Sequence, residues 1–342
     1  MSITIREVAK EAGVSTSTVS KVLNNWTTIS PATQARVNAA IEKLNYTPNA
    51  RAVSFARQTT QNIVFLTSLQ QEEAYRNPHM FDIMCGVNNE LTKYNYTMTL
   101  VDPTMKENAS AAVEHVIAQR FADGMIIHGS VITKDIANLL IRENYPHMII
   151  GKPHFESQLC WIDTNHVLAG RFAASHMLDC GYTKVSFIGG RESDAISTQR
   201  QRGFVSAMCD YGYSQVLSYV RYTDSSKQES YLTALKLLKS DVPPRAIICA
   251  NNSIAVGAMK AVEELKLNLP EDIALLTFDT YPYSKIIDPT PTVIDINVYD
   301  MGTQAGQMMI RKLENPSLQV QSYTTLPVLQ QGSTTRSSQV MK

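Results

Sequence analysis

Apolar residues in the first 46 positions recur at helical spacing, whereas from residue 62 onward short apolar runs alternate with amphipathic stretches. Thr4 suits a helix N-cap with Glu7 three residues on, and Ile5, Val8, Ala9 and Ala12 share one face before Gly13 ends the pattern. Ser15 can cap a second helix that turns Val19, Val22 and Leu23 to one side and Thr16, Ser17, Ser20 and Lys21 to the other. A third follows, with Ser30 as cap, Pro31 in its first turn and Val37, Ala40, Ile41 and Leu44 facing inward. Two helices joined by a short glycine-containing turn make a helix-turn-helix. Beyond it, 62–68, 96–102, 124–130, 147–151, 184–190, 245–251 and 273–279 read as strands. Between them 80–93, 107–120, 166–180, 198–211, 228–239 and 254–266 read as helices. Such alternation predicts parallel sheets wrapped by helices, and so many strands predict two sheets.

The stretch "TPNARAVSFARQTTQN", 47–62, belongs to neither pattern. Pro48 disfavours helix at Thr47, Asn49 can cap, and "ARAVSFA" has material for about two turns. Isolated helices shorter than ~12–15 residues are marginal in water. The segment is therefore expected to be unfolded alone and helical only when a partner supplies contacts.

At 342 residues two or three domains are expected, and 44% hydrophobic with 18% charged residues describes a globular protein. The sequence has no apolar run of membrane-spanning length and no signal-peptide order at its start, so a cytoplasmic protein without membrane association is expected. Five scattered cysteines, Cys85, Cys160, Cys180, Cys209 and Cys249, form neither a disulfide framework nor a zinc pattern. The net charge of zero conceals an asymmetry: residues 1 to 60 hold seven Lys/Arg against three Glu, a balance of +4, leaving −4 for the rest. A basic head on an acidic body points to a polyanion partner for the head.

Short hydroxyl residues are poor helix formers, so Thr16, Ser17, Thr18 and Ser20 cost helix stability unless the exposed face needs them. They allow close approach to base edges and phosphates, and Lys21, one turn on, can reach guanine or a phosphate. Double-stranded DNA is therefore the expected partner of the head. In the body, ligands of doubly wound sheets bind beyond the carboxyl ends of strands. The residues there are the loop before Met80, Gly151-Lys152, Gly189-Gly190 with the following loop, Asn251-Asn252 and Asp279. Turn formation alone accounts for many such residues, but together they can hydrogen-bond a polyhydroxylated ligand. No phosphate-binding glycine motif, metal-ligand spacing or nucleophile signature occurs, and the seven histidines show no ligand pattern. Neither catalysis, a cofactor nor a metal is expected.

The stretch "ITIREVAKEAGVSTSTVSKVLNN…ISPATQARVNAAIEKLNYTPNARAVS" resembles the headpiece of the LacI/GalR family of bacterial transcription regulators, and the likeness runs to about residue 336. The resemblance implies a small all-α helix-turn-helix headpiece with a hinge helix, joined to an α/β body of two parallel-sheet subdomains similar to periplasmic binding proteins. It divides the chain into a headpiece at 1–46, a hinge at 47–61 and an effector-binding and dimerisation domain at 62–336. Within the last, the N-subdomain takes 62–162 plus 296–322 and the C-subdomain 163–292 plus 323–336.

It implies DNA contacts at Thr4, Ser15, Thr16, Ser17, Lys21 and Asn24, with Lys21 standing where most members have Arg. Asn49 and Arg51 join them from the hinge, with Phe55 as a wedge in the minor groove. It implies effector contacts at His79, Met80, Lys152, Asn165, Arg200, Asn251 and Asp279. Here His79-Met80 replace an aromatic pair, Asn252 replaces Asp, Asn165-His166 stand where Asp-Asn is common, and Val53 takes the place of a hinge Arg. A repressor of a carbohydrate-utilisation operon with a sugar or sugar derivative as effector is expected. The alternatives are a nucleobase or sugar phosphate as effector, or a soluble sugar-binding protein without a DNA role, which the basic helical head argues against. Lys152 and His79 would suit a charged group such as a uronate or phosphate. A homodimer on a pseudo-palindromic operator, paired through 80–93 and 107–120, is expected, and the absence of heptads near the C-terminus argues against a coiled-coil tetramer.

Overall fold

The computed structural model describes residues 3–23, 26, 28–46, 59–70, 79–105, 109–213, 216–280, 288–319 and 321–337. The chain falls into two compact units, Met1–Gln61 and Asn62–Lys342.

The first unit holds helices α1 (Ile5–Ala12), α2 (Thr16–Leu23) and α3 (Pro31–Leu44). Glu7 reaches back to the Thr4 N–H at 2.7 Å, and Gly13 ends α1 in the left-handed conformation at φ 64°. Ser30 caps α3, with Pro31 in the first turn, where its missing N–H costs nothing. Val8, Ala9, Ala12, Val19, Val22, Val37 and Ala40 make the core, so the three apolar stripes read from the sequence converge. The hinge residues 47–58, including Asn49, Arg51 and Phe55, lie outside the described residues, as does Asn24.

The second unit contains two six-stranded sheets. The strands are β1 (Asn62–Leu66), β2 (Thr97–Val101), β3 (Gly124–His128), β4 (His147–Ile150), β5 (Trp161–Thr164), β6 (Val185–Gly189), β7 (Val220–Tyr222), β8 (Ala246–Cys249), β9 (Ala274–Phe278), β10 (Thr292–Asp295), β11 (Ser322–Thr325) and β12 (Val328–Gln330). The first sheet has the order β11-β5-β4-β3-β1-β2 and is parallel throughout. The second has the order β12-β10-β9-β8-β6-β7 and is parallel except where β12 runs against β10. β1, β6 and β9 are buried along their whole length, which is why they read as continuous apolar runs rather than alternating ones. The chain leaves the first sheet after Thr164, returns to it after Asp295 and leaves it again after Thr325.

Helices cover both sheets: α4 (Met80–Thr92), α5 (Ala109–Ala118), α6 (Lys134–Arg142), α7 (His166–Asp179), α8 (Ala195–Asp210), α9 (Lys227–Leu238), α10 (Asn252–Glu264) and α11 (Val298–Glu314). The first sheet lies between two apolar layers: Val113, Ile136 and Leu140 on one side, and Ile83, Val87, Met301 and Met309 on the other. The second sheet's core includes Phe187, Phe204, Phe278 and Leu276. Strands β5, β7, β10, β11 and β12 and helices α6 and α11 were not among the sequence-read elements. The missed strands are only three or four residues long, too short to set up a readable period.

Candidate functional site: an exposed helix face and an inter-sheet cleft

Two sets of polar side chains gather in the described structure, one in each unit. On α2, Thr16, Ser17 and Lys21 are exposed, as the outward half of the helical pattern requires. Ser15 occupies the turn before α2, where its hydroxyl accepts from the Thr18 N–H at 3.1 Å and pairs with the Ser17 hydroxyl at 2.7 Å. Thr4 is likewise committed locally, its hydroxyl donating to Glu7 Oε2 at 3.0 Å. These bonds hold the Glu7 carboxyl below its ordinary pKa, the backbone N–H of Thr4 contributing most. Lys21 holds its ammonium 5.7 Å from the ring centroid of Trp26.

In the second unit a cleft of about 880 Å³ opens beyond the carboxyl ends of the strands, lined by residues of both sheets and their loops. On the second-sheet wall, Arg200 projects from α8 and is 3% exposed. Its Nη1 donates to the Ala250 carbonyl at 2.7 Å, its Nη2 lies 3.4 Å from both carboxylate oxygens of Asp279, and the guanidinium sits 4.3 Å over the Phe278 ring. Asp279, immediately after β9, adopts φ 72°, and its N–H donates to the Ile294 carbonyl at 2.9 Å. Asn251 caps α10 by accepting from the Ile254 N–H at 2.9 Å, while its amide nitrogen approaches Ser225 Oγ at 3.3 Å. Asn252 donates to the Asp279 carbonyl at 3.4 Å. This wall is a set of hydrogen-bonded groups around one buried ion pair.

The first-sheet wall is different. Asp163, near the end of β5, accepts from the backbone N–H of Lys152 and Thr164 at 2.9 and 2.8 Å, and from His166 Nε2 at 3.2 Å. Burial pushes its carboxyl up, but His166 and the two amides outweigh burial and hold it below the ordinary value. At the end of β3, His128 Nδ1 meets Ser130 Oγ at 2.7 Å, and burial pushes the imidazole pKa down to about 4 against the opposing charge of Asp163. Ile83, Ile150, Val298 and Met301 supply an apolar lining. His79, at the N-terminus of α4, spans the space, with Nε2 3.6 Å from Asp279 Oδ2. Two buried nitrogens of lining residues, Arg200 Nε and His166 Nδ1, have no hydrogen-bond partner. Groups so placed are costly unless a ligand or water satisfies them.

Of the residues expected to meet an effector, His79, Arg200, Asn251 and Asp279 line the cleft. Three do not. Met80 packs against the Ile83, Val87 and Met301 layer of the first sheet, where Thr67 donates to its sulfur at 3.7 Å. Lys152 is exposed, with its ammonium 5.6 Å from the Trp161 ring centroid, so only its backbone N–H serves the cleft through Asp163. Asn165 caps α7 by accepting from the Leu168 N–H at 2.9 Å, a local role that asparagine performs well at helix starts. Sequence reading did not name His128, Asp163, His166 or Asp224 as contacts, and it pointed to Arg191 and Asp194 only through the loop after Gly190. Strand-end position could have found His128 at the end of β3, and Asp163 as well had β5 been recognised.

A helix-turn-helix unit followed by two parallel sheets flanking a ligand-sized cleft defines a class: a DNA-reading module coupled in one chain to a small-molecule-binding body. Residues 4–49 match the family described as bacterial regulatory proteins, lacI family, and residues 174–335 match the periplasmic binding protein-like domain. The chain thus carries a lacI-family DNA-binding domain followed by a periplasmic binding protein-like domain. It is 27% identical over 325 residues to the HTH-type transcriptional repressor PurR of Haemophilus influenzae, covering 95% of each chain. It is also 27% identical over 327 residues to the ribose operon repressor of Escherichia coli, covering 95% of this chain and 98% of that one. Among solved structures it resembles the lac repressor dimer bound to operator and the anti-inducer ONPF, with a TM-score of 0.79 at 22% identity over 98% of this chain and 99% of that one.

Proposed function

We propose that the protein is a sequence-specific transcriptional repressor of a carbohydrate-utilisation operon, whose operator affinity is set by a neutral, polyhydroxylated ligand in the cleft. The carrying observation is the mixture of donors and acceptors around that space: Arg200 Nε–H is an unpartnered donor, His166 Nδ1 is an unpartnered acceptor while its Nε2 donates to Asp163, and Asp279 and Asp163 present carboxylates. A sugar hydroxyl both donates and accepts, so vicinal hydroxyls fit such a wall, and charged partners strengthen each bond. With Lys152 stacked on Trp161, the four aspartates lining the cleft, Asp163, Asp194, Asp224 and Asp279, outnumber its two arginines and favour a neutral sugar over a phosphate or uronate. Repressor activity is supported by the relatives, which are themselves named as repressors along nearly their whole length.

Thr16, Ser17 and Lys21 read the major groove, and Asn24, Asn49, Arg51 and Phe55 add contacts around it. Thr4 and Ser15 shape the helix ends rather than supplying free hydroxyls. Two copies act on a pseudo-palindromic operator, because one head buries only about 600–1,000 Å² of its surface. The 68% exposed Phe81 on α4 and the 42% exposed Leu100 on β2 support pairing through that edge of the first sheet. Such a regulator works in the cytoplasm; no helix of the described residues is long and apolar enough to cross a membrane.

A thermal-shift panel of neutral sugars, sugar phosphates, uronates and purines tests the cleft, with Arg200→Ala as the control. Stabilisation by a neutral sugar, lost in the control, is expected. A hit only among purines or phosphates overturns the carbohydrate assignment, and no hit at millimolar concentration overturns the cleft. A gel shift with the gene's own upstream DNA tests the head, and binding no tighter than to unrelated DNA overturns the repressor reading.

A further inference from the structure

Among the described residues of the head, one large apolar side chain is left mostly outside its packing. Trp26 is 53% exposed, and the core of the three helices is made by Val8, Val19, Val37 and their small neighbours. Yet its backbone is fixed: the Trp26 N–H donates to the Lys21 carbonyl at 3.0 Å, closing the chain over the end of α2. That closure brings the indole beside the Lys21 side chain, whose ammonium lies 5.7 Å from the ring centroid. Ser17 and Lys21 are four residues apart on α2, so the lysine shares the exposed face with the hydroxyl residues.

Lysine is a poor reader of base edges when left free. Its ammonium is a point charge on a flexible four-carbon stem, without the fork that orients arginine. An aromatic face attracts the cation and restricts where the stem can go. We propose that Trp26 is a positioning residue for DNA recognition, whose indole holds the Lys21 ammonium on the groove-facing side of α2. This rests on the DNA-binding reading of the head and adds to it a residue outside the recognition helix. The lysine then meets a guanine edge with part of its ordering entropy already lost, which raises discrimination between sequences more than attraction to phosphate. Phenylalanine in place of the indole keeps an aromatic face, and leucine does not.

The probes are the duplex that the wild-type full-length protein selects from a randomised pool and a scrambled duplex of the same composition. Binding of both is measured across a salt series for wild type, Trp26→Leu, Trp26→Phe and Lys21→Met, and for the Lys21→Met/Trp26→Leu double variant, after thermal melts confirm folding. Trp26→Leu is expected to lower the selected-over-scrambled ratio about two- to fivefold, the range of an exposed cation–π contact. Scrambled binding and the salt slope should stay unchanged, Trp26→Phe should retain most of the ratio, and Trp26→Leu should cost nothing in the Lys21→Met background. Equal loss on both duplexes, the same loss without Lys21, or no loss overturns the positioning role. If the wild type selects no duplex, the DNA-binding reading itself fails, an outcome distinct from a selective wild type indifferent to Trp26.

Discussion

Each sheet of the body carries a pair of helices packed through facing glycines. On the first sheet α4 and α11 meet at Gly86 and Gly302, where an added Cβ would lie 2.1 Å from the Tyr299 carbonyl and 2.2 Å from the Ile83 carbonyl. On the second sheet α7 and α8 meet at Gly170 and Gly203, where it would lie 1.9 Å from the carbonyls of Arg200 and Val167. The packing device is the same, but what it holds in the cleft differs. The first pair fixes an apolar residue, Ile83; the second fixes the buried cation, Arg200. Position matters more to a guanidinium than to an isoleucine, because hydrogen bonds weaken steeply with angle while apolar contact tolerates small shifts.

The largest expected effect comes from removing that cation. Arg200→Ala leaves the buried Asp279 carboxylate without its guanidinium, and breaking a buried pair costs about 3–5 kcal/mol. Urea unfolding should show the loss and ligand binding should disappear; a variant as stable as wild type would mean that Asp279 is solvated. Smaller, and aimed at the contrast between the sheets, are Gly170→Ala and Gly86→Ala. Each must separate two packed helices, for about 1–3 kcal/mol. Gly170→Ala should also weaken ligand affinity severalfold by displacing Arg200, while Gly86→Ala should leave affinity nearly unchanged. Equal affinities in calorimetry would erase the distinction.

Acidification acts on both sheets. Burial lowers the pKa of His128 and His147 in the first subdomain and His176 in the second. A histidine with a depressed folded-state pKa binds its proton more readily when unfolded, so stability rises with pH. Its contribution is complete above about 6.5, the unfolded value, and is lost as pH falls toward the folded one. For His128 that window runs from about 6.5 to about 4. Melting temperatures should therefore fall as pH is lowered through this range, and His128→Asn should flatten part of the slope. An unchanged slope would place the sensitivity at His147 and His176 instead. The smallest expected effect is that of Lys152→Ala, which removes an exposed cation–π contact worth about 0.5–1 kcal/mol and should leave ligand affinity unchanged. A large affinity loss in the same binding assay would return the ammonium to the cleft.

Periodicity sufficed where a single element carried the information. The helices of the head, the buried runs of β1, β6 and β9, and the caps at Thr4, Ser15 and Ser30 are local consequences of side-chain size, polarity and spacing. Strand ends, read with the family resemblance, pointed to His79, Arg200, Asn251 and Asp279. The same reasoning overreached at Asn165, since an asparagine after a strand serves a helix cap as readily as a ligand. It overreached again at Lys152 and Met80, because sequence shows which residues neighbour a strand end but not which way a side chain turns.

What the sequence determined by itself was the two-part plan, the exposed face of α2 and the strand ends where a ligand could meet the body. What the tertiary structure alone decided was the cleft's chemistry, with Asp163 beside His166, His128 on Ser130 and His79 across from Asp279, and, in the head, the outward turn of Trp26 against Lys21. In the body these contacts join residues whose orientation depends on packing many positions away, as Arg200 depends on Gly170. Local propensity carries no record of such distant constraints.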